Sequence, residues 1–504
     1  MPPPLALQTH DHPPTSSREV ERHLRRPHRL VTTYQTAFHH VKKHAGVGIV
    51  CAVAYFDPGN WSVDMQAGSS FGYRPMLFVI LMAGLGAVVL QTMAAKLGCV
   101  TGADLASHCR LLLYNRPKHR LLIRYGVLYP LYVLCEIAII STDLAELLGS
   151  AIGLVLLFPK LPLWSAVLLT ATDVLVFLII GDPTRGHGRP VRMFEFSVII
   201  LVAAVFVCFL ILLAKIGADW PHVFLGFVPS KKLFESKPNA IYTAVGILGA
   251  TVMPHAIFLG SFLATQDRVR PDNNSLEFIQ AHLGHGIVDM VMSLLGVAVP
   301  INSAILVIAA TVFFQDGDPD DAPAGLFDAH DLIRDHIGKA AASMFALALL
   351  CAGQTASITA TLAGQIVSEG FIEWRISPFL RRLITRLIGL IPSMVVAIAV
   401  GREGIDTLLI ASQVTLSIVL PFVVLPLVWL TSSSAVMTVN KPTPSPTQEK
   451  HVDDKQENIA ISEIRQSVDY SNGLPLKGLG YAIWLVIVVA NAYVLVVLVM
   501  GSGV

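Results

Sequence analysis

Residues 48–68 read GIVCAVAYFDPGNWSVDMQAG, an apolar run that is long enough to cross a lipid bilayer but is interrupted halfway. The interruption is the tetrapeptide Asp57-Pro58-Gly59-Asn60. Proline has no amide hydrogen and glycine adopts backbone conformations closed to other residues, so the sequence predicts a helix that breaks at Pro58 and Gly59. A carboxylate near the middle of a bilayer is expensive, and this marks Asp57 as a functional residue.

A second apolar run is interrupted in the same way. Residues 246–264 read GILGATVMPHAIFLGSFLA, and Met253-Pro254-His255 breaks this run halfway. The two breaks lie in the first and the sixth predicted spans, five spans apart. Paired broken helices at corresponding places in two halves of a chain are typical of inverted-repeat transporters, whose binding site lies at the bilayer midplane. A functionless kink at Pro254 is the alternative for one break alone, and the pairing argues against it.

The chain as a whole has few charged residues. Of its 504 residues, 54% are hydrophobic and 14% are charged, and the mean hydropathy is +0.63. Soluble proteins carry about 25% charged residues, so this composition argues against a soluble enzyme. The 36 basic and 35 acidic residues leave a net charge of +1, which gives no uniform field to attract nucleic acid. We expect an all-α polytopic protein surrounded by the lipid bilayer.

Apolar runs between charged or Pro/Gly-rich breaks predict eleven membrane spans. The Lys and Arg residues of the short loops fall on one side of this arrangement, and the loop from Asp316 to Asp335, with seven Asp residues, falls on the other. This pattern predicts a cytoplasmic N-terminus and an outer or lumenal C-terminus, in the plasma membrane or an endomembrane. The spans lie near residues 45–70, 75–96, 122–149, 163–181, 194–216, 240–265, 284–312, 339–370, 382–400, 406–430 and 477–500.

These spans divide the chain into four predicted parts. Six cysteines occur without a short repeated spacing, which argues against a disulfide framework and a cysteine metal site. The parts are a disordered cytoplasmic tail (1–43), a core of ten transmembrane helices (44–430) in two repeats (44–216 and 240–430), a polar cytoplasmic linker (431–475) and an eleventh transmembrane helix (476–504).

The residues at the breaks predict the kind of ligand. A broken helix frees backbone carbonyls, which can bind a cation, and the candidates one turn before each break are Ala54 and Ala250. Asp57 and Asn60 offer a charged and a neutral oxygen, and Met253 offers a polarizable thioether. Hard Mg²⁺ and Ca²⁺ prefer oxygen shells, whereas a thioether suits softer ions, so this mixture favours Mn²⁺, Fe²⁺ and their neighbours.

The two break motifs together resemble the Nramp family of proton-coupled divalent metal transporters. The stretches EIAIISTDLAELLGSAIGL (136–154) and GQTASITATLAGQIVSEGF (353–371) are similar to further motifs of this family. The resemblance covers about residues 45–430, and GATVMPHAIFLGS looks closest to fungal members. It implies a LeuT-type fold of two inverted five-helix repeats plus an eleventh helix, which imports a metal ion together with a proton.

The same resemblance implies a ligand set. Gln413 and the Ala54 carbonyl would serve only in some conformations, and the methionine would discriminate against alkaline-earth ions. Many members continue the second motif with Asn and a later His, where this chain has Ala256 and Gly260. The implied metal ligands are Asp57, Asn60, Met253, the Ala250 carbonyl, the Ala54 carbonyl and Gln413.

Charged residues of the third span predict a route for protons. Glu136, Asp143 and Glu146 are spaced by seven and three residues, which places them on one helical face that should point away from lipid. Ordinary ion pairing with cytoplasmic arginines is an equally open interpretation, and His255 could be a satisfied polar group at the break. The resemblance implies a proton pathway of Asp57, His255, Glu136, Asp143 and Glu146, with Arg381 and Arg382 as counter-charges.

Three other classes of protein fit the sequence less well. A symporter of an organic solute with the same fold fits an acidic Asp57 beside a thioether poorly, and a membrane metal sensor would need a signalling domain that the sequence does not display. A membrane enzyme lacks support from any HExxH, GxSxG or P-loop pattern. We therefore expect a monomeric transporter with no permanently bound cofactor, whose substrates are Mn²⁺ or Fe²⁺ and H⁺.

Overall fold

The structure is a computed structural model of the chain. It describes residues 55, 57–180, 203, 206–207, 209–235, 240–266, 268, 275–314, 324–336, 338–374, 377–440 and 467–500. Ala54, the first half of the first predicted span and most of the fifth lie outside the described residues.

The described part is almost entirely helical. Two π-helical turns, Arg124–Leu128 and Leu294–Ala298, precede α5 and α12. In chain order the helices and strands are α1 (Pro58–Phe71), α2 (Met76–Thr101), α3 (Leu105–Leu113), α4 (Arg120–Ile123), α5 (Tyr129–Leu157), α6 (Leu163–Ile180), α7 (Trp220–Gly226), α8 (Lys232–Glu235), α9 (Ala240–Thr251), α10 (Pro254–Gln266), α11 (Leu276–Ser293), α12 (Val299–Phe313), α13 (Leu326–His336), α14 (Lys339–Ile372), α15 (Pro378–Ala399), α16 (Arg402–Thr431), α17 (Ser434–Met437), β1 (Thr438–Asn440), β2 (Ser467–Asp469) and α18 (Leu474–Val499).

The predicted spans that fall on described residues each coincide with helix. Within the described part of the chain, seven stretches are long and apolar enough to cross a membrane, and α6 and α15 contain shorter apolar segments. The third span ends later than expected, at Leu157, because its apolar pattern continues past the acidic residues. The seventh begins earlier, at Leu276, because the side-chain oxygen of Ser275 accepts the backbone N–H of Phe278 and thereby caps the first turn of α11.

Small residues bring α5 and α14 close together. A side chain at Gly353 of α14 would begin 2.9 Å from the carbonyl oxygen of Glu146 and 3.0 Å from the amide nitrogen of Ser150 on α5. Small residues at such contacts let helix backbones approach closely within a membrane. Helix α5 also packs against α15 and α16, and α1 packs against α9 and α12. The broken helices therefore lie beside a closely packed helix pair.

Both ends of the predicted linker contain short ordered elements, which its polar composition did not predict. Strands β1 and β2 pair antiparallel, with Thr438 opposite Asp469. The amide of Asn472 donates to the Thr431 hydroxyl at 2.9 Å, and Lys96 of α2 donates to the Asn472 side-chain oxygen at 3.0 Å. These contacts attach the segment before α18 to the ends of α16 and α2.

Candidate metal and proton site

The chain is non-helical immediately before two prolines. Helix α1 begins at Pro58, with Asp57 as its N-cap in an extended conformation. Helix α9 ends at Thr251 and α10 begins at Pro254, so Val252 and Met253 separate them. Proline is well suited to the first position of a helix because the amide hydrogen that it lacks would be unpaired there. Each proline thus starts a helix, Pro58 that of α1 and Pro254 that of α10.

The prolines also explain why backbone carbonyls are available. In a helix the carbonyl of one residue accepts from the amide four residues later. That later residue is Pro254 for Ala250, so the Ala250 carbonyl has no donor at this position. Ala250 is buried. The same spacing relates Ala54 to Pro58, although Ala54 itself lies outside the described residues.

Asp57 is completely buried and only half satisfied. Its Oδ1 accepts the backbone N–H of Asn60 at 3.1 Å, while Oδ2 makes no hydrogen bond within the described part of the chain. The Asn60 side-chain nitrogen donates to the carbonyl oxygen of Tyr55 at 3.0 Å, so the amide oxygen of Asn60 points away from that carbonyl. One carboxylate oxygen and one amide oxygen are therefore available at the start of α1.

Gln413 of α16 reaches the same place. The point where a side chain would begin at Gly59 lies 2.6 Å from Gln413 Cδ and 2.8 Å from Asp57 Oδ2. The absence of a side chain at Gly59 thus allows Gln413 to approach Asp57. The Gln413 nitrogen donates to the Ser412 hydroxyl at 3.1 Å, and its Oε1 has no donor among the described residues.

Met253 is fully buried in the gap between α9 and α10. Helix α9 packs against both α1 and α16. Across the described residues, no group of three or more His, Cys, Asp or Glu side chains could hold a metal ion. A binding site at the breaks would therefore use mixed donors: a carboxylate, amides, a carbonyl and a thioether.

A narrow pocket adjoins both breaks. Its wall includes Tyr55, Thr251 and Asn302, together with part of the π-helical turn Leu294–Ala298. Asn302 is 2% exposed, and its Oδ1 has no hydrogen-bond donor within the described ranges. The breaks thus border a partly polar pocket between Tyr55, which precedes α1, and helices α2, α9 and α12.

His255 connects the second break to α5. Its Nδ1 lies 3.2 Å from the hydroxyl oxygen of Thr142, and that hydroxyl donates to the Ala138 carbonyl at 3.0 Å. Because the hydroxyl hydrogen is already used, Thr142 accepts from His255, which places the imidazole proton on Nδ1 and leaves Nε2 as an acceptor. Sequence reasoning missed Thr142, since a threonine in an apolar helix usually bonds only to its own backbone.

The acidic face of α5 meets arginines of α15. Arg381 donates to both carboxylate oxygens of Glu136, at 2.7 and 2.8 Å. Arg386 lies 3.4 Å from Asp143 Oδ1, donates to the Asp143 carbonyl at 3.3 Å, and contacts the Ser357 hydroxyl. A narrow crevice between α5, α14 and α15 is lined in part by Asp143 and Arg381.

The partner of Asp143 was not among the expected counter-charges. The sequence predicts Arg381 and Arg382 for this role, and the side chain of Arg382 lies outside the described residues. Arg386 is 3% exposed and shares a buried stripe of α15 with Gly389 and Ser393. Gly389 and Ser393 follow Arg386 at intervals of three and four residues, which places all three on one helical face. The small residues on this face were the sequence signal for a buried arginine.

Two further acidic residues of the site region are buried. Glu146 is 1% exposed on the same face of α5 as Asp143. Asp64 follows Asp57 by seven residues on α1, is 2% exposed, and has an Oδ2 without a donor in the described part of the chain. Sequence reasoning did not single out Asp64, although its spacing from Asp57 places both on one helical face.

Comparison with known families identifies the chain. The profile described as Natural resistance-associated macrophage protein-like, Nramp, matches residues 48–446. The chain belongs to the Nramp family. The predicted resemblance is therefore confirmed.

Curated Nramp relatives match most of the chain. The manganese transporter pdt1 of Schizosaccharomyces pombe is 40% identical over 91% of this chain and 86% of its own length. The iron transporter SMF3 of Saccharomyces cerevisiae is 38% identical over 94% and 99%. The divalent metal cation transporter MntH of Nostoc is 43% identical over 78% and 84%. These relatives are named as transporters, which confirms the prediction that the chain is not an enzyme.

Solved structures confirm the fold class. The manganese transporter of Eremococcus coleocola is 30% identical and gives a TM-score of 0.71 over 89% of this chain and 85% of that one. The nucleobase-cation-symport-1 transporter Mhp1 is only 13% identical, with a TM-score of 0.50 over 76% of each chain, and supports the fold alone. This Nramp chain is a multi-pass helical membrane protein with a LeuT-type fold.

Proposed function

We propose that this chain imports divalent transition-metal ions, Mn²⁺ or Fe²⁺, together with protons. The observation that carries the proposal is the approach of two buried, incompletely hydrogen-bonded side chains, Asp57 and Gln413, at the first helix break. Buried polar atoms in proteins are nearly always paired, so unpaired acceptors gathered at one place favour a cation as their partner. The names of the relatives, which include manganese, iron and divalent metal transporters, support the same substrate class.

The ligands and their roles follow from donor chemistry. Asp57 provides the charge, Asn60 and Gln413 provide amide oxygens, and Ala250, with Ala54, provides backbone carbonyls. The thioether of Met253 favours softer transition ions over Ca²⁺ and Mg²⁺, which prefer oxygen ligands. A symporter of organic solutes would commonly bind a substrate carboxylate at a helix N-terminus, and the negative charge of Asp57 at the start of α1 disfavours that substrate.

Proton coupling begins at Asp57 in this proposal. A carboxylate can hold a proton or help to neutralise a metal ion, so arrival of the metal favours release of the proton. His255 follows the second break and contacts Thr142 of α5, along which Asp143 and Glu136 continue toward the basic loops. Those loops are cytoplasmic by the positive-inside rule, so the proton pathway leads inward. The remaining members of the pathway are Glu146, Arg381 and Arg382.

Alternating access would move the two broken spans around this fixed site. An inside-negative membrane potential contributes about 2.3 kcal/mol per charge per 100 mV to inward movement of a cation. The chain would act as a monomer in the plasma membrane or an endomembrane, with a cytoplasmic N-terminus. Neither Mn²⁺ nor H⁺ is retained as a cofactor, because both are substrates.

Metal uptake tests the proposal directly. In proteoliposomes with an acidic exterior, the wild-type chain should accumulate radioactive Mn²⁺, and Asp57→Ala should reduce the rate by about 100-fold because the charged ligand is lost. Asp335→Asn removes an exposed carboxylate of α13 and serves as the matched control. Absence of Mn²⁺ uptake by the wild type would contradict the proposal.

Proton movement tests the coupling separately. Asp143→Asn should lower Mn²⁺-evoked acidification of the vesicle interior by about tenfold, since a proton acceptor beside Arg386 is lost. Glu373→Gln is the control, because Glu373 also pairs with an arginine, Arg110 at 3.1 Å, but its side chain is 67% exposed. Unchanged acidification in Asp143→Asn would remove Asp143 from the proton pathway.

A further inference from the structure

Helix α16 contains a proline that leaves one of its carbonyls without a donor. Pro421 lies inside α16 and has no amide hydrogen. The carbonyl of Ser417, four residues earlier, therefore has no partner within its own helix. An unpaired carbonyl in the hydrocarbon region of a membrane is strongly unfavourable, so a neighbouring element must supply the donor.

Helix α18 supplies this donor from outside the ten-helix core. The Asn491 side-chain nitrogen lies 2.9 Å from the Ser417 carbonyl oxygen and 2.9 Å from that of Ile487 in its own helix. Two helical turns earlier, Trp484 Nε1 donates to the Pro421 carbonyl at 3.0 Å. Asn491 is 4% exposed, while Val489 beside it is 60% exposed. We call these two hydrogen bonds to α16 the α18 brace.

The braced turn is adjacent to the candidate metal site. Gln413 lies one helical turn before Ser417 on α16. Val494 of α18 packs with Val414, the neighbour of Gln413, and with Val245 of α9. The brace therefore acts on the part of α16 that carries Gln413.

The same turn also contacts the second broken span. A side chain at Gly249, the residue before Ala250, would begin 2.7 Å from Ser417 N and 2.9 Å from Ser417 Cβ. Helices α9 and α16 are in direct backbone contact here, with no space for a side chain between them. A shift of the braced turn would therefore displace either Gln413 or the Ala250 segment.

We infer that Asn491 is a positioning residue for metal binding: by supplying the donor that Pro421 removes, it holds the α16 turn that presents Gln413 to Asp57. Helix α18 thereby sets the affinity for the transported ion although it contributes no ligand. This inference rests on the proposed function, because the position of Gln413 matters only if a metal ion binds at the breaks.

The test measures how uptake depends on Mn²⁺ concentration, using the full chain in proteoliposomes. Asn491→Leu should raise the Mn²⁺ concentration for half-maximal uptake about tenfold, because a group that orients a ligand is lost. Gln413→Ala should raise it as well, and the combination with Asn491→Leu should add nothing further. Tyr493→Leu, at a position 44% exposed on the same helix, is the matched control and should behave as wild type.

A second variant pair separates positioning from general packing. Pro421→Ala restores an amide donor for the Ser417 carbonyl, so Asn491→Leu should have little effect on half-saturation in that background. If Asn491→Leu does not fold, Asn491→Ser replaces it, because a serine hydroxyl can donate to Ile487 in its own helix but is too short to reach α16. Asn491→Ser should show the same tenfold shift, about the effect expected for a lost positioning group.

The outcomes separate this inference from the proposed function. Wild-type uptake together with unchanged half-saturation in Asn491→Leu and Asn491→Ser would overturn the inference alone. Effects of Asn491→Leu and Gln413→Ala that multiply in the double variant would also overturn it, because the brace would then act independently of Gln413. No uptake by the wild type would overturn the proposed function and the inference together.

Discussion

At the helix breaks, Asp57 is fully buried and forms no ion pair within the described residues, whereas at the interface of α5 and α15, Glu136 and Asp143 each lie beside an arginine. Both regions place carboxylates where a membrane protein can least accommodate a charge. At the breaks, the charge of Asp57 remains free to pair with a mobile cation. At the interface of α5 and α15, arginine side chains neutralise the carboxylates. The difference supports the proposal that Asp57 binds the metal ion, while Glu136 and Asp143 accept or relay a proton.

The two regions also differ in what holds them in place. Among the described residues, Asp57 is oriented by the backbone of α1, through the N–H of Asn60 at 3.1 Å. The α5–α15 interface is held by side chains on different helices, and Arg386 also reaches α14 through Ser357. Loss of the charge at Asp57 should therefore affect binding of the ion. Loss of a charge at the α5–α15 interface should affect the stability of the protein.

The largest expected effect tests the pairing of Asp143 with Arg386 at the interface of α5 and α15. Arg386→Leu should lower the free energy of unfolding by about 3–5 kcal/mol, because it leaves Asp143 buried without its partner. Arg386→Leu combined with Asp143→Leu should recover most of this loss, since two apolar side chains replace the pair. The measurement is thermal unfolding of the purified protein in detergent.

Asp57→Asn provides the contrast in the same assay. Asparagine is also a good N-cap and keeps an oxygen for the Asn60 amide, so the unfolding temperature should stay near that of the wild type.

A double variant at Arg386 and Asp143 that is no more stable than Arg386→Leu would show that the pair does not account for the stability of the interface.

The starts of α1 and α10 could be predicted from the sequence because their cause is local. Proline removes an amide hydrogen wherever it stands, so Pro58 and Pro254 alone indicate where helices start and which carbonyls are freed. Spans were predictable for a similar reason, since membrane length and apolar composition determine them. The observed boundaries differ from the predicted ones where a capping residue sets the start of a helix, as Ser275 does for α11.

Contacts between distant helices could not be predicted in the same way. The choice of Arg386 as the partner of Asp143 depends on how α15 rotates against α5, and no short-range signal specifies this rotation. Thr142 and Asn491 are ordinary polar residues in apolar helices until His255 and Ser417 are placed beside them. The sequence thus indicated the chemistry of the site but left open which residues support it.

A smaller effect should sharpen the chemistry of the breaks. Met253→Ala should raise the ratio of Ca²⁺ uptake to Mn²⁺ uptake by roughly tenfold, because the remaining ligands are oxygens that Ca²⁺ accepts. The measurement is competition of Ca²⁺ with radioactive Mn²⁺ in proteoliposomes. Met290→Ala removes an equally buried methionine from α11 and controls for the loss of packing volume. Equal ratios in the two variants would exclude a selectivity role for the thioether.

The smallest effect concerns the link between the two regions, which is the contact of His255 with Thr142. Thr142→Val keeps the shape of the side chain but removes the acceptor that holds the imidazole proton on Nδ1. The loss of one buried hydrogen bond is worth about 1 kcal/mol, so proton-coupled Mn²⁺ uptake should slow by roughly fivefold. Thr142→Ser retains a hydroxyl and should restore the rate.

Thr172→Val is the control on the adjacent helix, because Thr172 donates only to its own helix, to the Leu169 carbonyl at 2.7 Å, and is exposed. If Thr142→Val slows uptake of Mn²⁺ with and without a proton gradient equally, the hydroxyl supports the fold around the site. If the slowing occurs only with the gradient, the fixed tautomer of His255 matters for the proton. In the second case the uncompensated charge at the breaks and the paired charges at α5–α15 are connected through one histidine.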